Sequence, residues 1–291
     1  MKKVSISYRI FSAINALLLA GLALICVFPI LHILAISLSG QAAAAANEVV
    51  LWPVDFTFAS YASVVKRSAY WTAFGVSIKR VVLGVTVNTV LTALMAYPLS
   101  KYPGEFKARR YYVWFLMFAM IFNGGLVPTY MLIKDLHLLN SIWALVLPGA
   151  VPIYNVILTM NFIRQLPREI EEAAFIDGAS YFQCFLKMIL PLSKPVLATI
   201  ILFSFLGHWN AWFDGMIYME NSANYPLQTY MYNIIANRDI TNSTEAIENA
   251  LTNIKTLKSA QLFLTMLPIL AIYPFLQKYF TKGITVGAVK G

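Results

Sequence analysis

Six long apolar runs divide this chain, and they constrain its fold more than any other feature of the sequence. A helix that crosses a bilayer needs roughly 20 predominantly apolar residues, and each run approaches or exceeds that length. A transmembrane barrel would instead show short strands of alternating polarity. The sequence therefore predicts an all-α membrane protein with six transmembrane helices and a single domain over residues 1–291. The runs are Ile10–Leu38, Trp71–Leu99, Tyr111–Ile133, Ile142–Ile163, Pro195–Phe213 and Ala260–Leu276.

Composition excludes a soluble domain. The chain is 59% hydrophobic and 12% charged, whereas about a quarter of the residues in soluble domains are charged. Three basic residues precede the first run, as they would in a signal peptide, but the apolar part far exceeds the 7–15 residues of such a segment. We therefore expect a retained first span. Cys26 and Cys184 have neither a metal-site spacing nor a disulfide framework, so we interpret both as structural.

Basic side chains are distributed unevenly over the connectors. With the amino terminus inside, the cytoplasmic segments hold 14 of the 22 Lys and Arg residues and five of the 13 acids, a balance of +9. The opposite side holds eight of each charge, a balance of zero. This asymmetry follows the positive-inside rule. It predicts a multi-pass protein of the cell (inner) membrane with both termini in the cytoplasm, and it removes the main support for a nucleic-acid partner.

Proline and glycine fall inside several runs and predict interrupted helices. Ordinary kinking explains such residues in membrane helices equally well, but non-helical backbone at membrane depth must face protein or a wet cavity. Breaks of that kind often line a transport pathway, which favours a functional role for Asn123–Pro128. The predicted interruptions are at Pro29, Asn123–Gly125 with Pro128, Pro148 with Pro152, and Pro268 with Pro274.

Catalytic motifs are absent from the sequence. No G-x-x-x-x-G-K-[ST] phosphate loop occurs, and the three histidines have no carboxylate at a metal-ligand spacing. No pair of acids lies within an apolar run, which argues against an intramembrane hydrolase or a proton relay. We therefore expect a non-catalytic chain that binds neither a metal nor a cofactor.

The polar connector 164–194 predicts two short helices on the cytoplasmic face. Pro167 near a helix start and acids in the first turn suit the helix dipole, which indicates a helix over Glu169–Phe175. Asp177-Gly178 should end it, because glycine accepts the left-handed conformation at a helix end. A second helix, Ser180–Ile189, should close at Leu190-Pro191. Small alanines and a carboxylate on the first helix suit close approach of a partner and a contact to a partner Arg.

This connector resembles the signature loop of ATP-binding-cassette (ABC) importer permeases, which reads EAA, three residues, Gly, nine residues, Ile-x-Leu-Pro. Met188 replaces the isoleucine and keeps the position apolar. The resemblance covers nearly the whole chain and is strongest to the oligosaccharide, maltose-type branch. Within that branch it extends to a full-length match with the permease of the alginate importer. The signature positions are Glu172, Ala173, Ala174, Gly178, Met188, Leu190 and Pro191, and the further matching stretches are Ala96–Ser100, Gly124–Tyr130, Leu139–Trp143, Gly207–Phe213 and Tyr225–Gln228.

The resemblance implies a type I importer permease that moves an oligosaccharide, and the acidic sugar alginate is among its candidate substrates. Its expected partners are a second homologous permease, two ATPase subunits that hold ATP and Mg, and an extracytoplasmic solute-binding protein. The coupling helix would dock on an ATPase, and the glycine-containing tail Lys282–Gly291 would extend into the ATPase dimer. The residues expected to carry the coupling are Glu169, Glu172, Ala173, Ala174, Asp177 and Gly178.

Candidate pathway residues follow from sugar chemistry. Apolar ring faces stack on Trp and hydroxyls bond to Asn, although an interfacial aromatic belt explains the same tryptophans. Two basic residues within the second run either snorkel outward or meet an anionic substrate. The alternative function is a secondary carrier or channel for a small polar solute, which would need ionisable groups within the membrane. The candidates are Asn123, His208, Trp209, Asn210, Trp212, Lys79 and Arg80.

Overall fold

The computed structural model describes residues 6–102, 104–236 and 255–288, and all regular structure in those ranges is helical. The chain divides into two compact units, residues 1–68 with 233–267 and residues 69–232 with 268–291. The first unit contains α1 (Ile6–Ser37), α2 (Gln41–Ala45) and α3 (Ala59–Lys66). The last helix, α15 (Lys255–Ala288), begins in the first unit and ends in the second.

The second unit holds most of the membrane-length helical structure. Its long helix α4 (Ser68–Ser100) is followed by helices that are interrupted at intervals. In chain order these are α5 (Arg109–Ile121), α6 (Leu126–Asp135), α7 (Ile142–Val146), α8 (Ile153–Ile163), α9 (Glu169–Ile176), α10 (Tyr181–Cys184), α11 (Leu190–Leu192), α12 (Lys194–Asn210) and α13 (Phe213–Tyr218), after which α14 (Leu227–Ile235) leads back to the first unit.

Within the described ranges, two helices are single candidate membrane spans, Tyr8–Ser37 within α1 and Ser68–Ser100. Three bent pairs bring the count to as many as five when each pair is taken as one span: α5 with α6, the segment Ile142–Gly149 with α8, and Tyr181–Leu192 with α12. The ends of α1 and α4 lie within a few residues of the first two predicted runs. The total of six spans and the single domain stay predictions.

The break between α5 and α6 lies where the sequence placed it. The two helices meet at 112°, and Gly125 takes a φ of 89°, a left-handed value that favours glycine. The Asn123 side-chain oxygen accepts the Gly125 N–H at 2.9 Å, which satisfies a backbone donor freed by the turn. The predicted break at Pro148 and Pro152 is also present, as a 47° bend.

The other predicted interruptions are wrong. Pro29 lies inside α1, and Pro268 and Pro274 lie inside α15, and both helices are continuous through these residues. Each proline removes one backbone donor, whereas a full break in hydrocarbon would expose several unpaired groups, so the helix persists. The tail is not extended as expected either, because α15 continues to Ala288. Glycine costs a helix about 1 kcal/mol and does not forbid it. Residues 289–291 lie outside the described ranges.

Connectors carry more structure than the sequence indicated. The long connector between the first two runs contains α3. The long loop after the fifth run contains α13, a 3₁₀ turn over Ser222–Asn224 and α14. Its remaining part, residues 237–254, lies outside the described ranges.

The core of the second unit packs α4 against α8, α9 and the helical turns after Ser180. Small side chains of α4, Ala93 and Ala96, belong to the same buried cluster as Val156 and Met160 of α8. Small residues let membrane helices approach closely. Ala174 of α9 belongs to the same cluster, so the helix of the connector 164–194 is anchored in the core of this unit.

Candidate functional site

The first candidate site is the connector 164–194, the predicted coupling loop and named the coupling loop below, with α9 at its centre. Three acids, Glu169, Glu171 and Glu172, occupy the first turn of α9, where negative charge is stabilised by the helix dipole. Gly178 ends the helix with a φ of 82°. The Ala179 N–H then reaches back to the Ala174 carbonyl at 2.9 Å, the hydrogen bond typical of a glycine-terminated helix. The predicted helix and turn are both present.

A capping box starts the next helical stretch. The Ser180 hydroxyl accepts the Gln183 N–H at 3.3 Å, and the Gln183 side chain accepts the Ser180 N–H at 2.9 Å. Helical turns then continue through a π segment, Phe185–Ile189, to Leu192. The stretch therefore ends just beyond the predicted Leu190-Pro191, and it meets α12 at 79°.

A buried ion pair attaches α9 to the end of α4. The Lys101 ammonium donates to the Glu171 carboxylate, and the two side chains are 7% and 20% exposed. The ammonium also lies 4.4 Å from the centre of the Tyr97 ring and 5.7 Å from that of Phe175, within the range of cation–π attraction. Lys101 thus sits in an aromatic enclosure that α9 closes with a carboxylate.

Two arginines complete the end of α4. The last carbonyls of a helix lack partners within the helix, and here the Arg109 Nε–H donates to the Leu99 carbonyl at 2.7 Å. The Arg164 Nε–H donates to the Ser100 carbonyl at 3.3 Å. Cations at a helix carboxyl end also suit its dipole. The base of the coupling loop is therefore fixed to α4 through both arginine and lysine contacts.

The outer face of α9 is open. Glu169, Glu172, Ala173, Asp177 and Gly178 are all exposed. Ile176 on the same helix is 86% exposed. Ala174 points the other way, into the core, with 3% exposure. The arrangement is a short helix that presents acids, an alanine and an isoleucine outward while its inner face is held by the unit.

An apolar groove of about 350 Å³ opens beside this attachment. Its walls come from the end of α4 and from the aromatic side chains after Ser180, Phe182 and Phe185 among them, and Lys101 lies in its lining. The groove leaves space next to the point where α9 meets α4.

The second candidate site lies in the first half of α4, about 18 Å along the helix from Ser68. Arg80 is 2% exposed and forms a forked ion pair with Asp214 of α13. One guanidinium nitrogen also donates to the Ala211 carbonyl at 3.2 Å. Bidentate pairs of this kind fix both distance and orientation. Arg80 therefore neither snorkels outward nor carries an unpaired charge that an anionic substrate would meet.

His208 lies next to this pair. A Cβ placed on Gly84 would approach the His208 Nε2 to 2.3 Å, so the glycine is what lets α12 come this close to α4. Trp209 is 1% exposed and stacks on Phe205. These two candidates are interior side chains in the described structure.

The remaining candidates are spread out. Lys79 and Asn210 are exposed, and Asn123 forms the turn between α5 and α6. Trp212 is half-buried and stacks on Tyr232 with ring centres 4.0 Å apart. The structure thus brings Arg80 and His208 together and does not gather the seven candidates into one pocket.

Polar groups also support the broken span before α8. With its amide oriented to satisfy its neighbours, Asn88 donates to the Gly149 carbonyl at 3.2 Å and to the Gly84 carbonyl at 3.0 Å. The Gly149 carbonyl lies where the backbone leaves regular helix. A side-chain donor from α4 therefore satisfies the break, as non-helical backbone in a membrane protein requires.

Sequence reasoning missed three residues of these sites. Lys101 was counted only as one of the basic cytoplasmic residues, Asp214 as one of the acids outside, and Ile176 not at all. A lysine directly after an apolar run and an aspartate beside a tryptophan-rich turn were the available signals. Among the described residues, no three His, Cys, Asp or Glu side chains are grouped so that they could hold a metal ion.

Comparison with known proteins supplies the family. Residues 82–286 match the model of the family described as binding-protein-dependent transport system inner membrane component. Protein LplC of Bacillus subtilis is 40% identical over 284 residues, which cover 97% of this chain and 96% of LplC. The polygalacturonan/rhamnogalacturonan transport system permease protein YtcP of the same organism is 34% identical, with 97% and 99% coverage.

A solved structure agrees with the sequence matches. A chain from the crystal structure of a bacterial ABC transporter involved in the import of the acidic polysaccharide alginate superposes with a TM-score of 0.87 at 33% identity. The match covers 96% of this chain and all of that one.

Proposed function

The chain belongs to the family of binding-protein-dependent transport system inner membrane components, and we propose that it carries an acidic oligosaccharide into the cell. It is a permease subunit of an ABC importer, and the resemblance to sugar importers favours this function over a secondary carrier or channel. In this proposal the chain itself forms part of the translocation path, and the energy comes from a separate ATPase subunit.

The attachment of α9 to α4 is the observation that carries the coupling part of the proposal. Glu172, Ala173 and Ile176 face outward, where an ATPase surface would contact them. Behind them the Lys101–Glu171 pair and Ala174 join α9 to α4 and the core. A displacement of α9 by a closing ATPase pair would therefore move α4 as well. This is a rigid-body switch biased by nucleotide.

The substrate class is proposed from the relatives together with the charge near the second site. One relative is named for polygalacturonan and rhamnogalacturonan transport, and the matching structure is described with alginate. Arg80 is neutralised by Asp214, but the exposed Lys79 beside it is available to an anionic sugar. The uncharged hydroxyls would bond to amides such as Asn210.

The proposed complex contains a second homologous permease, two ATPase subunits with ATP and Mg, and an extracytoplasmic solute-binding protein. We place both termini in the cytoplasm on the charge balance of the sequence. In that orientation α9 and the end of α4 lie on the ATPase side, and the Arg80–Asp214 pair lies toward the outer face.

The test is binding-protein-stimulated ATP hydrolysis by the complete complex in proteoliposomes, measured over a panel of oligosaccharides of equal length. Neutral and uronic sugars of the same linkage form the matched pairs. We expect the uronic members to stimulate hydrolysis and to be taken up. Stimulation by neutral sugars alone would refute the acidic substrate class and leave the importer function intact, whereas uptake that persists without the ATPase subunit would refute the importer itself.

A further inference from the structure

The connector after α1 folds back along that helix within the first unit. Both of its ends are fixed: the Gly40 N–H donates to the Val54 carbonyl at 3.0 Å, and the Thr57 N–H donates to the Leu38 carbonyl at 2.9 Å. The Ser39 hydroxyl accepts the Val54 N–H at 3.1 Å. These bonds close the segment into a compact loop seated on the end of α1.

One contact shows how far the loop descends. The His32 Nδ1–H donates to the Val50 carbonyl at 2.6 Å. His32 lies five residues before the end of α1 at Ser37, which is about 7.5 Å along the helix axis. The chain therefore leaves α1, turns, and comes back down beside the helix before it rises again to Thr57.

Large apolar side chains are exposed on this descending loop. Trp52 is 82% exposed, Val50 58%, Phe56 60% and Phe58 63%. Singly exposed apolar residues are ordinary, but a contiguous set on a short loop marks an interaction surface. We call the segment 50–58 the apolar loop.

Polar groups flank the exposed apolar side chains or are held at the end of α1. The Asn47 side-chain oxygen accepts the Lys255 ammonium at 2.7 Å. Asp55 lies against Gly40, where an added Cβ would be 2.9 Å from the Asp55 Cβ. Gly40 comes after the last residue of α1, so this carboxylate stays near the helix end while Val50 reaches deeper. Asp55, the one charged residue of the apolar loop, is therefore held at the end of α1, while Val50 reaches farther down the helix.

The length of α1 places the Val50 contact at a membrane boundary. Arg9 is the last charged residue before the apolar run that starts at Ile10. About 20 helical residues cross the hydrocarbon, and the candidate span continues to Ser37, so the far boundary falls in the last two turns of α1, where His32 lies. In the window that qualifies α1 as a span, no residue is buried by the rest of the chain. The descending part of the loop thus lies at the level where hydrocarbon meets headgroups.

We propose that the apolar loop is an interfacial anchor that inserts into the lipid bilayer beside α1, with Trp52 at the headgroup boundary. Tryptophan and phenylalanine prefer this depth because an apolar ring enters the acyl region while polar groups stay hydrated. The assignment to the outer leaflet rests on the proposed orientation of the chain; the contact with lipid does not. Lipid is favoured over a protein partner because the loop is held by His32 at the bilayer boundary, continuous with a membrane-length helix.

The test is nitroxide accessibility in the complete transport complex, reconstituted in phosphatidylcholine/phosphatidylglycerol nanodiscs. The background is Cys26→Ala with Cys184→Ala, and single labels are placed through Trp52→Cys and, as a control on the same connector, Glu48→Cys. Oxygen partitions into lipid and a nickel chelate stays in water, and lipids labelled at known depths calibrate the ratio. We expect the label at position 52 to show at least a tenfold higher oxygen-to-nickel ratio than the label at position 48.

Two results would overturn the proposal. Equal nickel access at positions 52 and 48 would mean that the loop is in water. Low access of both reagents at position 52 would mean that a protein subunit covers it. A second variant tests the geometry: His32→Ala in the Trp52→Cys chain removes the donor to Val50 and should bring the label several ångströms toward water, whereas an unchanged depth would contradict the role assigned to His32.

Discussion

Removing either partner of the Lys101–Glu171 pair should weaken the attachment of α9, but by unequal amounts. The lysine side chain is 7% exposed and the glutamate side chain 20%, so the glutamate can rehydrate when its partner is removed and the lysine cannot. Removal of one member of a buried pair costs about 3–5 kcal/mol when the other stays charged and buried. Glu171→Gln should therefore cost about 3 kcal/mol of α9 attachment.

Lys101→Met should cost much less. Methionine fills the enclosure of Tyr97 and Phe175 with a side chain that contacts aromatic rings favourably, and the remaining carboxylate turns toward water. A loss of about 1 kcal/mol is expected, as for an exposed pair. At 1.4 kcal/mol per tenfold change, the two variants differ roughly 30-fold in the population of detached α9. The double variant should be closer to Lys101→Met than to Glu171→Gln.

Amide hydrogen exchange over α9 in the assembled complex measures this population directly, because protection reports local opening. Protection should fall roughly 150-fold in Glu171→Gln and about fivefold in Lys101→Met. Exposed Glu169→Gln on the same helix is the matched control and should change protection little. Equal losses in the two single variants, or additive losses in the double variant, would refute the reasoning that burial of the ammonium fixes α9.

Three further predictions follow from the other contacts. Asp214→Asn leaves the buried Arg80 guanidinium without a counter-charge and should lower the thermal midpoint of the complex by about 10 °C. The double variant Arg80→Met with Asp214→Leu should recover much of this loss. A double variant no more stable than Asp214→Asn would contradict the pairing. Gly84→Ala should lower the yield of intact complex, because the new Cβ would lie 2.3 Å from His208 Nε2. Adding His208→Ala should restore the yield. Failure of that rescue would show that another contact excludes the methyl group. Gly178→Ala should reduce the amide exchange protection of α9 by a factor of about five, since a φ of 82° costs an alanine about 1 kcal/mol. Gly178→Asn should lose less protection, because asparagine tolerates the left-handed conformation better. Equal losses in the two variants would argue against the left-handed turn.

Local chemistry let the sequence predict the coupling loop closely. The acids of the first turn, the Asp177-Gly178 end and the Ser180 cap act through neighbours a few residues away, so they are visible in the sequence itself. The bend at Asn123–Gly125 was predictable for the same reason. The continuity of α1 through Pro29 was not, because it depends on the absence of water around the backbone and not on the proline alone.

The partners of the buried charges could not be read from the sequence. Glu171 is 70 residues from Lys101, and Asp214 is 134 residues from Arg80, so neither pair leaves a local pattern. Charge counting placed Asp214 among exposed acids outside the membrane, and only the fold brings it to α4. The exposure of Ile176 likewise leaves no local signal, because it follows from Ala174 facing the core.

Stimulated ATP hydrolysis in the assembled complex tests the central claim, that α9 transmits the work of a separate ATPase to this permease. The variant is Glu172→Ala with Gly178→Pro, which removes an outward carboxylate and the turn that ends α9. The matched control is Glu105→Gln, an exposed acid outside the coupling loop. If α9 transmits this work, binding protein and substrate no longer stimulate hydrolysis in the variant and uptake into proteoliposomes stops, while the control keeps both. Unchanged stimulation in the variant, in a complex that still assembles, would contradict it.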